Sequence, residues 1–244
     1  TIDSAGSASD ASGFSIVSYT GTGSAGTIKH GLSTAPVITL IKTASTTNWN
    51  FLTYQIDGSC DELALNLSSE GKTDRSITAP TSSVFSVDTA ADRNGDGVNA
   101  IAFCFSERKN FSKFGTYVGN GNVNGSFIWT GQKSAFIMIR ASSRAGTWNM
   151  YDVKRSTFNN VDDFITANTP DAETTGNTYQ NIDILSNGFK CRGTGTGTNE
   201  SGSTYIYMAF AENPFVTSTG VPATARWFMK FMLLLSICSL THTE

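Results

Sequence analysis

The segment NGDGVNAIAFCFSE, residues 94–107, has a close counterpart in NESGSTYIYMAFAE, residues 199–212. The matched positions are Gly97 and Gly202, Phe105 and Phe210, and Glu107 and Glu212. Each segment begins with turn-forming residues and continues as a partly alternating apolar run, which is typical of a strand buried on at least one face. This match predicts that the chain contains one β-rich module twice.

Four further blocks recur in the same order upstream of these two segments. They are FSIVSYTGTGSAG (14–26) with FSKFGTYVGNGNVNG (111–125), APVITLIK (35–42) with SAFIMIR (134–140), NWN (48–50) with TWN (147–149), and SSVFSV (82–87) with SNGFKC (186–191). Recurrence of all blocks in one order indicates an internal duplication.

The duplication sets the expected domain boundaries. Residues 13–109 form copy 1 and residues 110–216 form copy 2, preceded by a small, polar segment (1–12) expected to be a flexible arm or linker. Short β-branched and aromatic runs bounded by breakers predict an all-β fold with roughly six or seven strands per copy. The fold is therefore either two tandem homologous antiparallel β-sandwich modules, jelly-roll-like in type, or one sandwich built from two repeats.

The glycines of YTGTGSAG, residues 19–26, imitate a dinucleotide-binding fingerprint. Gly21, Gly23 and Gly26 have the G-x-G-x-x-G spacing, but that motif binds a pyrophosphate only where a helix follows. The next residues include Gly31 and Pro36 and lack a helical period. The second copy also carries one more residue here, so we expect a tight hairpin turn and no nucleotide cofactor.

The composition excludes several classes of partner. Charged residues make up 15% of the chain and the net charge is -3, which offers no electrostatic surface for nucleic acid. The four cysteines form no C-x-x-C pair and the chain has two histidines, so a zinc site is not expected. Cys104, within an apolar run, is predicted to be a small buried hydrophobe.

The segment DRNGDGVNAIAF, residues 92–103, resembles a calcium loop at its start. Asp92, Asn94 and Asp96 alternate before a glycine, but the twelfth position is Phe103, where an EF-hand needs a bidentate carboxylate. We therefore expect a hairpin turn and no metal.

Catalytic residues are weakly indicated. His30 lies in a predicted turn, His242 lies near the end of the sequence, and there is no G-x-S-x-G motif. Acidic side chains in predicted loops leave a glycosidase pair open as a hypothesis; they are Asp162, Asp163, Asp171 and Glu173. The sequence favours a protein that is not an enzyme, with no catalytic residues assigned.

Two tryptophans recur at one point of the repeat. Trp49 and Trp148 each precede an asparagine, and they either stack on a sugar ring or anchor a core. The core role is favoured because a tryptophan contributes a large apolar area.

The last part of the sequence, residues 217–244, differs in composition from both copies. Its apolar run is shorter than a comfortable membrane span, so we expect docking against a partner subunit rather than a membrane. The predicted assembly residues are Trp227, Phe228, Met229, Phe231, Met232, Leu233, Leu234 and Leu235.

The order of blocks resembles a duplicated β-module of bacteriophage virion proteins, common in phages of marine bacteria and cyanobacteria and often labelled tail fibre protein. The resemblance covers roughly residues 13–216 and rests on the Tyr-Gly blocks, the WN motif and YIYMAFAENPF. It implies a non-enzymatic virion component, located on the surface of the extracellular particle and serving as a tail fibre, head fibre or decoration protein.

Its partners would be further copies of itself, as in the trimers common among fibres, other virion proteins and host-surface glycans. The alternative is a secreted or surface β-sandwich protein that binds or cleaves carbohydrate.

Overall fold

The computed structural model describes residues 1–68 and 71–212, and it consists mainly of β-strands. The strands of the first copy are β1 (Ser4–Ser9), β2 (Phe14–Thr20), β3 (Gly26–Lys29), β4 (Ile38–Thr43), β5 (Asn50–Thr53), β6 (Cys60–Ala64), β7 (Thr73–Arg75), β8 (Val84–Val87) and β9 (Asn99–Phe105), with one short helix, α1 (Ala91–Asn94). Those of the second are β10 (Ser112–Val118), β11 (Phe127–Trp129), β12 (Ser134–Ala141), β13 (Asn149–Asp152), β14 (Ile165–Thr166), β15 (Ile182–Leu185), β16 (Gly188–Cys191) and β17 (Thr204–Ala211).

Each copy forms a sandwich-like body from one large and one small sheet. The first module, β1–β9, combines a seven-stranded sheet of order β1-β2-β9-β4-β5-β6-β7 with the pair β3-β8. The second module, β10–β17, combines a five-stranded sheet of order β10-β17-β12-β13-β14 with a three-stranded sheet of order β11-β16-β15. The strands within these sheets pair antiparallel. The prediction of an all-β fold of antiparallel sandwiches is confirmed, in the form with two bodies.

The duplication is visible in the strand order. The series β2-β9-β4-β5-β6 of the first large sheet corresponds to β10-β17-β12-β13-β14 of the second, and β3-β8 corresponds to β11-β16. Strand β1 on the edge of the first large sheet has no counterpart on the edge of β10 among the described residues. The two modules therefore share a framework but differ at this edge.

Among the described residues, three apolar clusters form the core. One lies inside each module, and a third joins residues of both modules, including Ile38, Phe51, Trp148 and Ile206. Alternate residues of one strand serve different clusters: Ile206 belongs to the shared cluster, whereas the next residue, Tyr207, belongs to the core of the second module. The two large sheets thus pack face to face, which explains why their strands are apolar on both faces.

Residues 1–12 are not the flexible arm that their composition predicted. Strand β1 pairs with β2 along its whole length, from Ser4 opposite Tyr19 to Ser9 opposite Phe14. Ile2 is buried in the first core. An edge strand of small polar residues has the composition of a linker. What distinguishes the strand is its backbone pairing with a neighbouring strand, and composition does not report such pairing.

Several sequence predictions concern residues that the structure does not describe. The assembly segment of Trp227 to Leu235, together with His242 and Cys238, lies outside the described residues. Cys104 is fully buried, as predicted, and like Cys60 and Cys191 it is a free thiol. Within residues 1–68 and 71–212 there is no helix long and apolar enough to cross a membrane.

Candidate functional site

The glycine-rich loop after β2 is a crossover between sheets and not the predicted hairpin, because β2 and β3 belong to different sheets. It packs against the loop before β9. The Gly21 amide donates to Val98 at 2.8 Å, the Gly23 amide donates to Asn94 at 2.9 Å, and the Gly97 amide donates back to Gly21 at 2.9 Å. These glycines therefore dock two loops of the first module.

The second module repeats this arrangement atom for atom. The amides of Gly119 and Gly121 donate to Ser203 and Asn199 at 2.9 and 2.8 Å, and the Gly202 amide donates to Gly119 at 3.0 Å. The first glycine of each pair has no room for a side chain, since a Cβ at Gly119 would lie 2.3 Å from a backbone oxygen. The repeated glycine spacing is thus a structural device of the fold.

The calcium-like segment is also a crossover, since it joins β8 of the small sheet to β9 of the large one. The Asn94 amide group donates to the carbonyls of Ser24 and Asp88, both at 2.7 Å. Arg93 beside it is 1% exposed and makes a two-pronged ion pair with Asp88 at 2.7 and 2.9 Å, and a further pair with Glu62 at 2.6 Å. This segment is organised by a buried arginine and an asparagine that bridges two loops.

Three carboxylates of the first module, those of Asp57, Asp61 and Asp74, come within 4.8 Å of one another. The Lys72 ammonium lies among them, 2.7 Å from Asp61, 2.6 Å from Asp74 and in contact with Asp57. Burial raises the pKa of Asp61, whereas the hydrogen bond from Lys72 lowers the pKa of Asp74. Since the lysine occupies the place that a cation would take, the cluster is an ion-pair network.

His30 is a buried residue of the first module. Its Nδ1 accepts a hydrogen bond from the Leu32 amide at 3.1 Å, which leaves Nε2 to donate to the Thr81 carbonyl at 3.1 Å. Burial lowers the pKa of His30. Both ring nitrogens are therefore engaged in holding the fold.

The acidic loops of the second module are also tied to neighbouring groups. The Asp163 carboxylate accepts from the Gly176 amide at 2.9 Å, and the Glu173 carboxylate pairs with Arg155 at 2.5 Å. The exposed Asp171 and the half-buried Asp162 lie in the same loops.

The recurring tryptophans have different environments. Trp148 is fully buried in the cluster shared by the modules, where its ring lies 4.8 Å from that of Phe51 and its Nε1 donates to the Ala64 carbonyl at 3.0 Å. Trp49 is half-buried and stacks on Phe103 at 6.1 Å. Trp148 is thus a core residue, and no sugar ring reaches it.

The sequence analysis missed two exposed aromatic residues on β11. Phe127 is 48% exposed and Trp129 is 62% exposed, whereas Ile128 between them is buried. Strand alternation places both aromatic rings on the outer face of the small sheet. The signal in the sequence was the pattern F-I-W. Its central residue, Ile128, aligns with Ile28 of the first copy, whereas Phe127 and Trp129 do not align with aromatic residues of that copy.

A cleft of about 290 Å³ opens beside Trp129, between the start of β10 and the end of β11. It is lined by Glu107, Lys109, Asn110, Ser112, Lys113, Trp129, Thr130 and Gly131. The Glu107 carboxylate accepts from the Phe114 amide at 3.0 Å and pairs with the Lys113 ammonium at 2.9 Å. Glu107 thereby satisfies one backbone donor on the outer edge of β10.

The corresponding place in the first module is filled. There the Ile2 amide donates to the Thr27 carbonyl at 2.7 Å, and the Ser4 hydroxyl donates to the Lys29 carbonyl at 3.3 Å. Further along, Ala8 lies against Gly31, and the Gly31 φ of 76° matches the 75° of Gly131. Residues 2–9 thus lie along this edge of the first module. Among the described residues of the second module, no strand pairs with the outer edges of β10 and β11, although the Ser112 amide donates to the Arg108 carbonyl at 2.9 Å. We call these two outer edges, with the cleft between them, the open edge.

Comparison with known proteins agrees with the duplicated unit. Residues 1–214 match the family described as a domain of unknown function, DUF7483. The chain belongs to the DUF7483 family. The matched region includes both modules, so the tandem pair and its open edge lie within the DUF7483 unit. No curated protein and no solved structure is significantly similar to the chain.

Proposed function

We propose that the chain is a non-enzymatic structural subunit of a bacteriophage particle, of the tail-fibre, head-fibre or decoration type. In this role it lies on the surface of the extracellular particle, assembles with copies of itself and with other virion proteins, and contacts the host surface. The order of the repeated blocks, which resembles that of phage virion proteins, supports the biological context.

The observation that carries an assembly role is the open edge of the second module. An uncovered strand edge offers unpaired backbone groups to another chain, and soluble proteins usually protect such edges. Here the edge adjoins two exposed aromatic rings, and aromatic residues are enriched at protein interfaces.

The engagement of the titratable groups favours a structural role over catalysis. His30 uses both ring nitrogens in buried hydrogen bonds, and Glu173 is paired with Arg155. A general base needs a free acceptor within hydrogen-bond reach of its substrate.

Electron microscopy of intact particles tests this proposal directly. Antibodies raised against residues 1–212 and coupled to gold should label purified phage particles at one repeated location. Particles that contain the protein by mass spectrometry but bind gold only after disruption would contradict the surface location. Particles that lack the protein would contradict the structural role.

A second candidate function is carbohydrate binding at Trp129, favoured by the exposure of its indole beside polar cleft residues. If a sugar stacks there, Trp129→Ala should abolish retention on host polysaccharide, whereas Trp49→Ala should leave it unchanged. Equal retention of both variants would exclude this site.

A further inference from the structure

We infer that residues 227–235 pack onto an apolar surface of the first module of the same chain. This surface, which we call the apolar shelf, lies on the outer face of the large sheet of that module. It consists of Phe14, Ile16, Trp49, Ile101 and Phe103. The inference goes beyond the proposed function and does not depend on it.

The shelf arises because β2 and β9 are apolar on both faces. Val17 of β2 and Ala102 of β9 belong to the core of the first module, so strand alternation places Ile16 and Phe103 on the opposite face. Ile16 and Phe103 lie opposite one another in the sheet. Ile16 is 38% exposed, and the other members of the shelf are half-buried. Water therefore reaches a continuous apolar surface, which in a soluble protein marks a contact site.

The equivalent surface of the second module is covered. Ile206 is the counterpart of Ile101 in the alignment of β17 with β9, and it is fully buried. Met208 is the counterpart of Phe103 and is 3% exposed. Both belong to the cluster in which the first module packs against the second. The duplicated framework thus carries an apolar surface at this place twice, and the described residues bury it more completely in the second module.

A row of aromatic rings leads from the end of β17 to the shelf. The ring centre of Phe210 lies 6.2 Å from that of Phe105, which lies 4.9 Å from that of Phe14. Across the shelf, Phe14 and Phe103 are 6.4 Å apart, and Phe103 and Trp49 are 6.1 Å apart. Strand β17 therefore ends beside apolar rings that are continuous with the shelf.

The length of chain beyond β17 is sufficient for the contact. Residues 213–226 separate Glu212 from the apolar segment, and a chain of that length spans up to about 46 Å when fully extended. Each of the four steps from Phe210 to Trp49 is at most 6.4 Å, so the whole shelf lies within reach. A tethered segment meets a site within its reach at an effective concentration of about millimolar. This favours the shelf of the same chain over that of a second copy.

The composition of the segment matches that of the shelf. Residues 227–235 read WFMKFMLLL and contain one charged residue, Lys230. Strands β2 and β9, which form most of the shelf, read FSIVSYT and NAIAFCF and contain none. Packing of the two removes apolar area from water on both sides.

Proteolysis at Lys230 tests the docking in the full chain. A lysine-specific protease cuts after Lys230 only when the segment leaves the shelf, because a packed backbone does not enter a protease active site. Leu234→Asp leaves the two modules unchanged and should raise the cleavage rate at Lys230 at least about tenfold, since docking loses one buried leucine and gains a charge. A parent chain that is cut at Lys230 as fast as this variant would overturn the inference.

A substitution on the shelf locates the site. Ile16→Asp should accelerate cleavage at Lys230 by a similar factor, whereas Ser18→Asp, on the same face of β2, is the matched control and should leave the rate unchanged. Circular dichroism identical to that of the parent is the control for folding, and Ile101→Ser is a milder shelf variant if Ile16→Asp unfolds the chain. Equal rates in folded Ile16→Asp and Ser18→Asp variants would contradict docking on the shelf. Acceleration by Trp129→Ala instead would place the segment on β11.

The dependence on protein concentration distinguishes the same chain from a second copy. Docking within one chain makes the cleavage rate per molecule independent of concentration, whereas docking on a second copy makes it fall as concentration rises. We expect a constant rate. A rate that falls with concentration would exclude docking within the chain.

Discussion

Replacement of Trp148 by alanine is the sharpest test of how the two modules are joined. The side chain is fully buried in the cluster shared by the modules, packed against Phe51 of the first. Its indole Nε1 donates to the Ala64 carbonyl, and the Arg140 guanidinium lies 5.4 Å from its ring centre. The substitution therefore removes packing, one hydrogen bond and a cation–π contact from a single point between the modules.

The expected loss follows from these contacts. Truncation of a buried tryptophan to alanine costs about 3–5 kcal/mol of unfolding free energy, mainly through the cavity that it leaves. Ala64 keeps a donor, since the Arg140 Nη1 also bonds to its carbonyl at 2.6 Å, so the loss of the indole donor leaves no unsatisfied acceptor. The more conservative Trp148→Phe keeps most of the packing and loses the hydrogen bond, at a cost of about 1 kcal/mol from that bond.

Scanning calorimetry and urea unfolding measure this loss. For a chain of this size, Trp148→Ala should lower Tm by roughly 6–20 °C. Trp129→Ala is the matched control: it makes the same chemical change at an exposed site and should shift the unfolding free energy by less than about 0.5 kcal/mol. Equal effects of the two substitutions, or a loss below about 1 kcal/mol for Trp148→Ala, would refute the proposed role of the shared cluster.

Four further substitutions test other parts of the fold, each by urea unfolding. Gly21→Ala places a Cβ 2.3 Å from a backbone oxygen and should cost about 3 kcal/mol, whereas Gly97→Ala has open space and a φ of 68° and should cost about 1 kcal/mol. The native state lowers the pKa of His30, so the unfolded chain binds the proton more readily and stability falls as pH drops below about 6.5; His30→Gln should reduce that slope between pH 7 and pH 5. Lys72→Met leaves the buried Asp61 carboxylate without its cation and should cost about 2 kcal/mol near neutral pH, and less in acid, where the raised pKa lets Asp61 take up a proton.

The sequence alone was sufficient for the duplication and the fold class. Both follow from patterns that repeat along the chain: β-branched runs between turn residues, and glycines at matching positions. These signals are local, because the sequence of a strand indicates a strand whichever other strand it pairs with. Thus Cys104 was predicted to be a buried residue of an apolar run, and it is fully buried.

Which strands pair could not be obtained in this way. Gly23 and Asn94 each lie in a segment that resembles a hairpin turn, yet each segment crosses between sheets, and the two segments hydrogen-bond to one another. Glycine and asparagine suit a crossover loop as well as a hairpin turn. Only the pairing of the flanking strands with distant parts of the chain distinguishes the two. Trp129 was missed for a related reason. The Lys29 carbonyl at the equivalent position of the first module accepts a hydrogen bond from Ser4 of β1, and among the described residues the second module has no counterpart of β1.

The open edge follows from duplicating a module whose first strand lies at its own edge. When such modules are joined in tandem, the segment before the second copy is the last strand of the first, which is already paired on both sides. The outer edge of the second module can then either be protected from pairing or serve as a contact for another chain. Glu107 and Lys113 protect one end of it by capping an amide and placing charge there. Trp129, which lines the cleft, and Phe127 on the same strand do the opposite, since they expose apolar rings to water. Among the described residues, this edge of the second module therefore combines a capped amide with exposed aromatic rings.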